Sequence, residues 1–476
     1  MQKEQRGRYL LKNTIIFALG NFGTKFIAFF MVPLYTNILT TSEYGTVDLI
    51  YTIGIVLVPC VTLNIAESVM RFSLDKNSNY EKIMSTGLGL MWIAIIASAL
   101  LTPIFSFVEY LQDYVIYIFL YTITFAISQL FLCYLKGKEL LLHYSMASII
   151  QTVCIAVFNI LFLSVFHKGV RGYLMAYILA NVVTALYAFL TGNVIQVLKN
   201  FRIDFSLSKK MIQYSVVLIP NSFMWWIMNS ADRIMVIAIA GIAENGVYAV
   251  AYKIPTLLST VTGVFNQAWS FSAIRENESI DKEEYSNDIF DRLVSVVIIV
   301  AIGLLMVVKV FLKYYVGKDY FDSWRYIPYL MLGFVFMALG SFVGTSYTVH
   351  KDSWGFLISG TIGAVVNVIL NFVMIPGLGA TGAAVATCIS YIAVFVYRVL
   401  DTRKYLKLKV FKKKHVAGYI LLVLAAMTLF VDNVYGQIML IIEFVLSLIV
   451  FKKLIITFGK EIYNCINKKK KNKLDF

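Results

Sequence analysis

Fourteen apolar runs, each long enough to cross a bilayer as a helix, govern what this chain can become. They fall at about 14–36, 46–69, 83–107, 114–135, 143–166, 170–194, 211–240, 247–271, 289–312, 326–348, 353–376, 380–398, 415–432 and 436–456. About 20 helical residues cover the ~30 Å hydrocarbon core, whereas barrel strands show only about ten alternating residues. The expected fold class is an all-α polytopic membrane protein with about 14 transmembrane helices. Composition agrees, because 59% hydrophobic and 14% charged residues leave too little charge to cover a water-exposed surface. The first run follows a basic start (Lys3, Arg6, Arg8, Lys12) but is too long for a signal-peptide core and lacks a small-residue cleavage site, so it is expected to remain as a span.

The runs form a repeat. Glu43, Gly45 and Tyr51 recur as Glu244, Gly246 and Tyr252, an offset of 201 residues. Tyr134, Lys138 and Glu139 recur as Tyr347, Lys351 and Asp352, offset by 213, and Gly169, Gly172 and Ala176 recur as Gly379, Gly382 and Ala386, offset by 210. Each trio falls at the matching helix end of its half. Two homologous halves of six spans enter the membrane in the same direction, which predicts a pseudo-two-fold axis along the membrane normal, a transporter plan. The expected organisation is a first six-helix bundle at 1–197, a connector at 198–210, a second bundle at 211–398, a basic connector at 399–414, two extra helices at 415–457 and a basic tail at 458–476. The longest loop, about 272–292, is too short and too acidic for a catalytic domain, so no enzyme activity and no catalytic residue are expected.

The net charge of +15 raises the question of nucleic acid, and the charge distribution answers it. With the N-terminus in the cytoplasm, about 33 of the 42 Lys and Arg fall in or beside cytoplasmic segments and about six outside. That bias is the positive-inside pattern of a multi-pass membrane protein with both termini cytoplasmic, and no nucleic-acid partner is expected. The lysines at 468–471 and 473 also suit contact with anionic membrane lipids. Five scattered cysteines and four isolated histidines lack ligand spacing, so no metal or cofactor is expected. The GxxxxGK phosphate loop is missing too, which removes ATP as a direct energy source.

Ionisable side chains at bilayer depth cost about 2.5–3.5 kcal/mol on insertion scales and demand a reason. Lys25 lies mid-span in the first run, one turn from Asn21. In the seventh run Ser222, Trp226, Asn229 and Arg233 form a polar stripe, with Asp232 beside it; in the eighth, Lys253, Thr256, Thr260 and Gln267 form another. Glu67 and Arg71 in the second run are an i, i+4 pair on the face of Asn64, read as a gating or structural pair. These stripes sit on the first two helices of each half. Setting Glu67 and Arg71 aside, Lys25, Arg233 and Lys253 outweigh Asp232, a balance that suits an anionic ligand, above all a phosphate. For Arg233 and Lys253, snorkelling to the surface is the competing explanation. Tyr51 and Tyr252, matched across the repeat and beside the stripes, are further candidate substrate contacts. Four of the seven prolines, Pro33, Pro59, Pro220 and Pro255, fall on these same helices, as gate hinges or as ordinary membrane-helix prolines.

Three stretches carry a resemblance: NFGTKFIAFFMVPLYTNILTTSEYGTVDL (Asn21–Leu49), ADRIMVIAIAGIAENGVYAVAYKIP (Ala231–Pro255) and PGLGATGAAVATCISY (Pro376–Tyr391). Together they resemble the Wzx-type polysaccharide flippases of the multidrug/oligosaccharidyl-lipid/polysaccharide (MOP) flippase superfamily, over about spans one to twelve. The resemblance implies two bundles around a central cationic cavity lined by spans one, two, seven and eight. It implies as substrate an undecaprenyl-pyrophosphate-linked oligosaccharide, flipped to the outer leaflet by alternating access for surface polysaccharide export. A coupling ion (H+ or Na+) and, as partners, a polysaccharide polymerase and glycosyltransferases are implied with it. Lys25, Arg233 and Lys253 match that family's pattern of basic cavity residues. A lipid II-type or teichuronic-acid-type flippase, or a MATE-like drug antiporter, are the alternatives; the antiporter wants an acidic cavity, and lipid II flippases usually have more basic residues in the first two spans.

Overall fold

The computed structural model describes residues 24–75, 78–454 and 456. Among them every regular element is a helix, as the run lengths require. The helices are α1 (Val32–Ile38), α2 (Thr41–Thr62), α3 (Ile65–Ser73), α4 (Tyr80–Leu101), α5 (Val115–Gly137), α6 (Leu141–Asn159), α7 (Gly169–Thr191), α8 (Val194–Lys199) and α9 (Phe205–Val216). They continue as α10 (Ile219–Ala240), α11 (Ile242–Ala251), α12 (Lys253–Arg275), α13 (Lys282–Tyr315), α14 (Ile327–Val349), α15 (Ser353–Leu378), α16 (Ala380–Asp401), α17 (Lys413–Thr428) and α18 (Val434–Val450).

Among the described residues nine helical segments are long and apolar enough to cross a membrane. The other apolar runs fall on helices that are interrupted or shorter, and the interruptions concentrate where the prolines are. The first run turns at Met31, just before Pro33 opens α1. The seventh run breaks at 217–218, and Pro220 then starts α10. The eighth breaks at Tyr252, three residues before Pro255. Pro59 lies inside α2, four residues ahead of a break at Leu63 and Asn64, both in the left-handed region (φ 49° and 54°). Proline supplies no N–H and strands the carbonyl four residues earlier, so a break nearby is its ordinary consequence. At Pro33 that carbonyl, Phe29 O, instead accepts the Tyr315 hydroxyl at 2.5 Å.

The repeat is visible in the backbone as well as in the letters. Gly169 (φ 52°) and Gly379 (φ 56°) both take a positive φ at the entry to α7 and α16. Glu139 and Lys351 (both φ 57°) make matching left-handed turns ahead of α6 and α15, which sets the backbone offset there at 212 residues, one fewer than the 213 read from the letters. Glu43 caps α2 by a reciprocal arrangement: its backbone N–H donates to Thr40 Oγ1 at 3.2 Å, and its carboxylate accepts the Thr40 N–H at 2.9 Å. Glu244, its repeat mate, occupies the first turn of α11.

The chain packs as two units, Met1–Ala249 with Tyr315–Tyr320, and Val250–Tyr314 with Phe321–Phe476. The first buries an apolar core that includes Ile65, Val69, Met84, Leu130, Leu135 and Met211. There α3 is tied to α9 by the Ser68 hydroxyl, which donates to Met211 O at 2.6 Å. In the second unit α16 packs against α14 and α15. Its buried Arg398 donates to Ser359 Oγ and Gly340 O, both at 3.0 Å. The hairpin α17–α18 is fastened to α13 at two levels. Lys309 donates to Leu429 O at 2.5 Å and pairs with Asp432, while Asp291 accepts Lys412 and Lys414 at 2.8 Å each.

Candidate functional site

The N-terminal ends of α2 and α11 touch through their backbones, and that contact organises the polar residues around it. A β-carbon on Gly45 would stand 2.1 Å from Ile242 O, and one on Gly246 would stand 2.0 Å from Thr41 O. Both distances are far inside van der Waals contact, so only glycine fits at either position. The two contacts are reciprocal: Gly45 and Gly246 are repeat mates, and Thr41 and Ile242 share the same 201-residue offset. A motif that reads in sequence as a repeat marker is in space a point of closest approach.

Two turns into α2 and one turn beyond Gly45, Asp48 reaches this junction. Its Oδ1 accepts Arg233 Nη1 of α10 at 2.5 Å, with the two side chains 9% and 15% exposed. Its Oδ2 lies 3.3 Å from Asn245 Nδ2 of α11, which is also 3.4 Å from Gly45 O. Asp232, 3% exposed, accepts the Tyr248 hydroxyl at 2.8 Å and the Arg233 backbone N–H at 2.9 Å. Three helices are thus joined by one guanidinium and two carboxylates. Burial at this level removes water as a competitor, so each charge depends on its protein partner.

Asp48, Asn245 and Tyr248 were not singled out by the sequence reading. Their signal lay in charge matching: a buried arginine needs an acid, and Asp48 stands just inside the second apolar run, on the helix whose glycine repeats at Gly246. The balance of charge expected at the site is corrected accordingly, since Asp48 joins Asp232 on the acidic side and Arg233 is held by it.

The other expected residues spread more widely. Lys25 is exposed on the helical stretch before Met31. Asn21 lies outside the described residues, as do the side chains of Ser222 and Asn229. Lys253 is half-buried at the start of α12, and Gln267 is exposed further along it, both in the second unit. The tyrosine mates part company: Tyr51 is 45% exposed, whereas Tyr252 is buried with its ring edge-on to Phe334. The expected pairing of Glu67 with Arg71 is also corrected. Arg71 turns to Asp75, 2.7 Å away and likewise exposed, while Glu67 stands 4.0 Å from Cys133 Sγ. Asn64 falls at the left-handed break ahead of α3 and does not continue their face.

Comparison with known proteins adds a family and a fold. The family model for "Polysaccharide biosynthesis protein" matches residues 10–271, more than half of the chain. No curated protein matches. Among solved structures, the chain is similar to the lipid II flippase MurJ in an inward closed conformation, with a TM-score of 0.65 and 15% identity over 94% of this chain and 100% of that one. It is similar to an inward-facing multidrug resistance MATE family transporter of the MOP superfamily, with a TM-score of 0.65 and 13% identity over 82% of this chain and 95% of the other. An outward-facing MATE transporter gives a TM-score of 0.57 and 15% identity over 82% and 93%. At such identities the likeness is one of fold.

Proposed function

The chain belongs to the polysaccharide biosynthesis protein family, within the MOP superfamily of membrane flippases and transporters, and from that premise we propose that it flips an undecaprenyl-pyrophosphate-linked oligosaccharide to the outer leaflet. The observation that carries this reading is the buried Arg233–Asp48 pair at the glycine junction. A pyrophosphate offers several anionic oxygens to a guanidinium in the planar geometry it binds best, so it competes with Asp48 for Arg233. With the N-terminus cytoplasmic, the starts of α2 and α11 are outer helix ends, and their contact closes the outer side. Binding of the headgroup draws Arg233 from Asp48, loosens that closure and licenses passage. Lys25, exposed and earlier on the path, is the first cation the headgroup meets. Tyr51, in the same unit as Lys25 and Arg233, is assigned to the sugar's path, with Pro33, Pro59, Pro220 and Pro255 as hinges near the helix breaks.

The test is complementation of surface polysaccharide in a strain lacking the gene, with protein level monitored. Arg233→Ala and Lys25→Ala are each expected to abolish surface polysaccharide, Lys25→Ala at normal protein level. Full complementation by the double substitution would overturn the cationic mechanism. Proteoliposomes carrying a labelled prenyl-pyrophosphate saccharide provide the direct readout, and no movement of label by the wild type would remove the flippase reading.

A further inference from the structure

The last two helices carry one ionisable group that nothing above uses. Tyrosines apart, Glu443 is the only titratable side chain from Val416 to Val431 and from Val434 to Phe451. Helices that meet this hairpin offer no counter-ion at its level. α13, whose Gly303 lies against the Phe444 ring, has no charge from Leu293 to Val308, and α14 has none along its length. The nearest charges in sequence are Lys452 and Lys453, exposed just past the end of α18, and Asp432 with Lys309 at the turn of the hairpin; Lys412 and Lys414 with Asp291 stand at its base.

Glu443 occupies the middle of α18 and is 6% exposed. Its Oε1 accepts the Thr428 hydroxyl of α17 at 2.8 Å. Its Oε2 is enclosed and has no hydrogen-bond partner among the described residues. A carboxylate with one hydrogen bond and no cation is strongly disfavoured in an apolar interior, whereas the neutral acid is tolerated. An ionisable residue inside a span is retained for a purpose more often than for packing, since a leucine would pack at less cost.

We propose that Glu443, with Thr428, is a proton-binding site through which a proton gradient drives transport; the proposal rests on the flippase reading above. In this conformation the proton is on Oε2. When movement of the hairpin or of α13 admits water, the Oε2–H bond breaks, the proton passes to that water, and the carboxylate remains, held by the Thr428 hydroxyl. Return of a proton from the other side restores the neutral acid. No electron changes hands.

Two measurements on the full-length protein in bilayers test this. Infrared spectroscopy should show a protonated-carboxyl carbonyl band near neutral pH in the wild type that Glu443→Gln removes. Thr428→Val, which deletes a donor to the charged form, should make the band persist to higher pH. Absence of the band, or its insensitivity to Glu443→Gln, overturns the site. In proteoliposomes with a labelled prenyl-pyrophosphate saccharide, an imposed pH gradient should change the wild-type rate several-fold. Glu443→Gln, a mimic of the protonated state, should flip at the gradient-free rate whatever the gradient. A Glu443→Gln protein that follows the gradient as the wild type does overturns the coupling role. If the wild type itself moves no label, the flippase reading fails, while the infrared titration still decides the proton site.

Discussion

Two knots of charge hold helices together in this molecule, and they are built on opposite principles. At the glycine junction, one guanidinium is held by Asp48 and flanked by Asp232, and the Arg233–Asp48 pair is 15% and 9% exposed. At the base of the C-terminal hairpin, Asp291 gathers Lys412, Lys414 and His415, and the two ammonium-bearing side chains are about a third exposed (31% and 36%). Among the described residues the first knot pairs Asp48 with one cation, so removing Arg233 leaves a buried carboxylate without it. The second has two ammonium groups around one carboxylate, with the His415 ring beside them, and either lysine is dispensable while the other remains. A pair without redundancy can be switched by a competing ligand, and a redundant cluster is an anchor. On the function proposed above, the first is the contact that parts and the second keeps the base of the hairpin on α13.

The largest effects should therefore fall at the glycine junction. Arg233→Ala leaves the Asp48 carboxylate buried without its cation, a loss of about 3–5 kcal/mol for a buried pair; it and Asp48→Ala, which breaks the same pair, should both abolish transport and lower thermal stability. The double substitution should be markedly less destabilised than the two losses combined, because no charge is left unpaired. Strict additivity in a double-mutant thermal-melt cycle would show that the pair is not coupled. Gly246→Ala should trap the junction open, because its methyl would overlap Thr41 O, at 2.0 Å. Introduced cysteines across α2 and α11 should then cross-link poorly compared with the same cysteines on a Gly246 background, and equal cross-linking would refute the closure.

Asp291→Asn is the intermediate case. It removes the shared acceptor, so the detachment of the hairpin should be visible as increased proteolysis of 399–450 with Arg233-dependent transport chemistry untouched in mechanism but reduced in rate. Wild-type protease resistance would mean that Lys309 and the apolar contacts of α17 and α18 suffice to hold it.

How far the sequence foretold these knots depends on range. The helices follow from run length, which is a local property, and the breaks at Met31, 217–218 and Tyr252 were foreshadowed by Pro33, Pro220 and Pro255. Pro59 announced a break as well, but not its form: Leu63 is a residue that seldom adopts a positive φ and nothing local announces that it does. Gly45 and Gly246 were found as repeat mates, yet their meeting was invisible: a repeat states equivalence and says nothing of contact. Asp48 was missed for the same reason, since its partner is 185 residues away. Arg71 was assigned to Glu67 by i, i+4 spacing, and the same spacing in the other direction gives Asp75, which the structure selects.

That last pair gives the smallest expected effect and the cleanest control. Arg71 and Asp75 are both more than half exposed (51% and 58%), and each can exchange its partner for water. An exposed i, i+4 pair gains little because solvent screens its attraction and ordering two long side chains opposes it. Arg71→Ala should leave thermal stability and surface polysaccharide at wild-type levels, in contrast to Arg233→Ala on the same background. Should Arg71→Ala silence transport while the protein remains folded, the guanidinium would be meeting the substrate, and a gating role for the Glu67 and Arg71 face would replace the distinction between exposed and buried arginines.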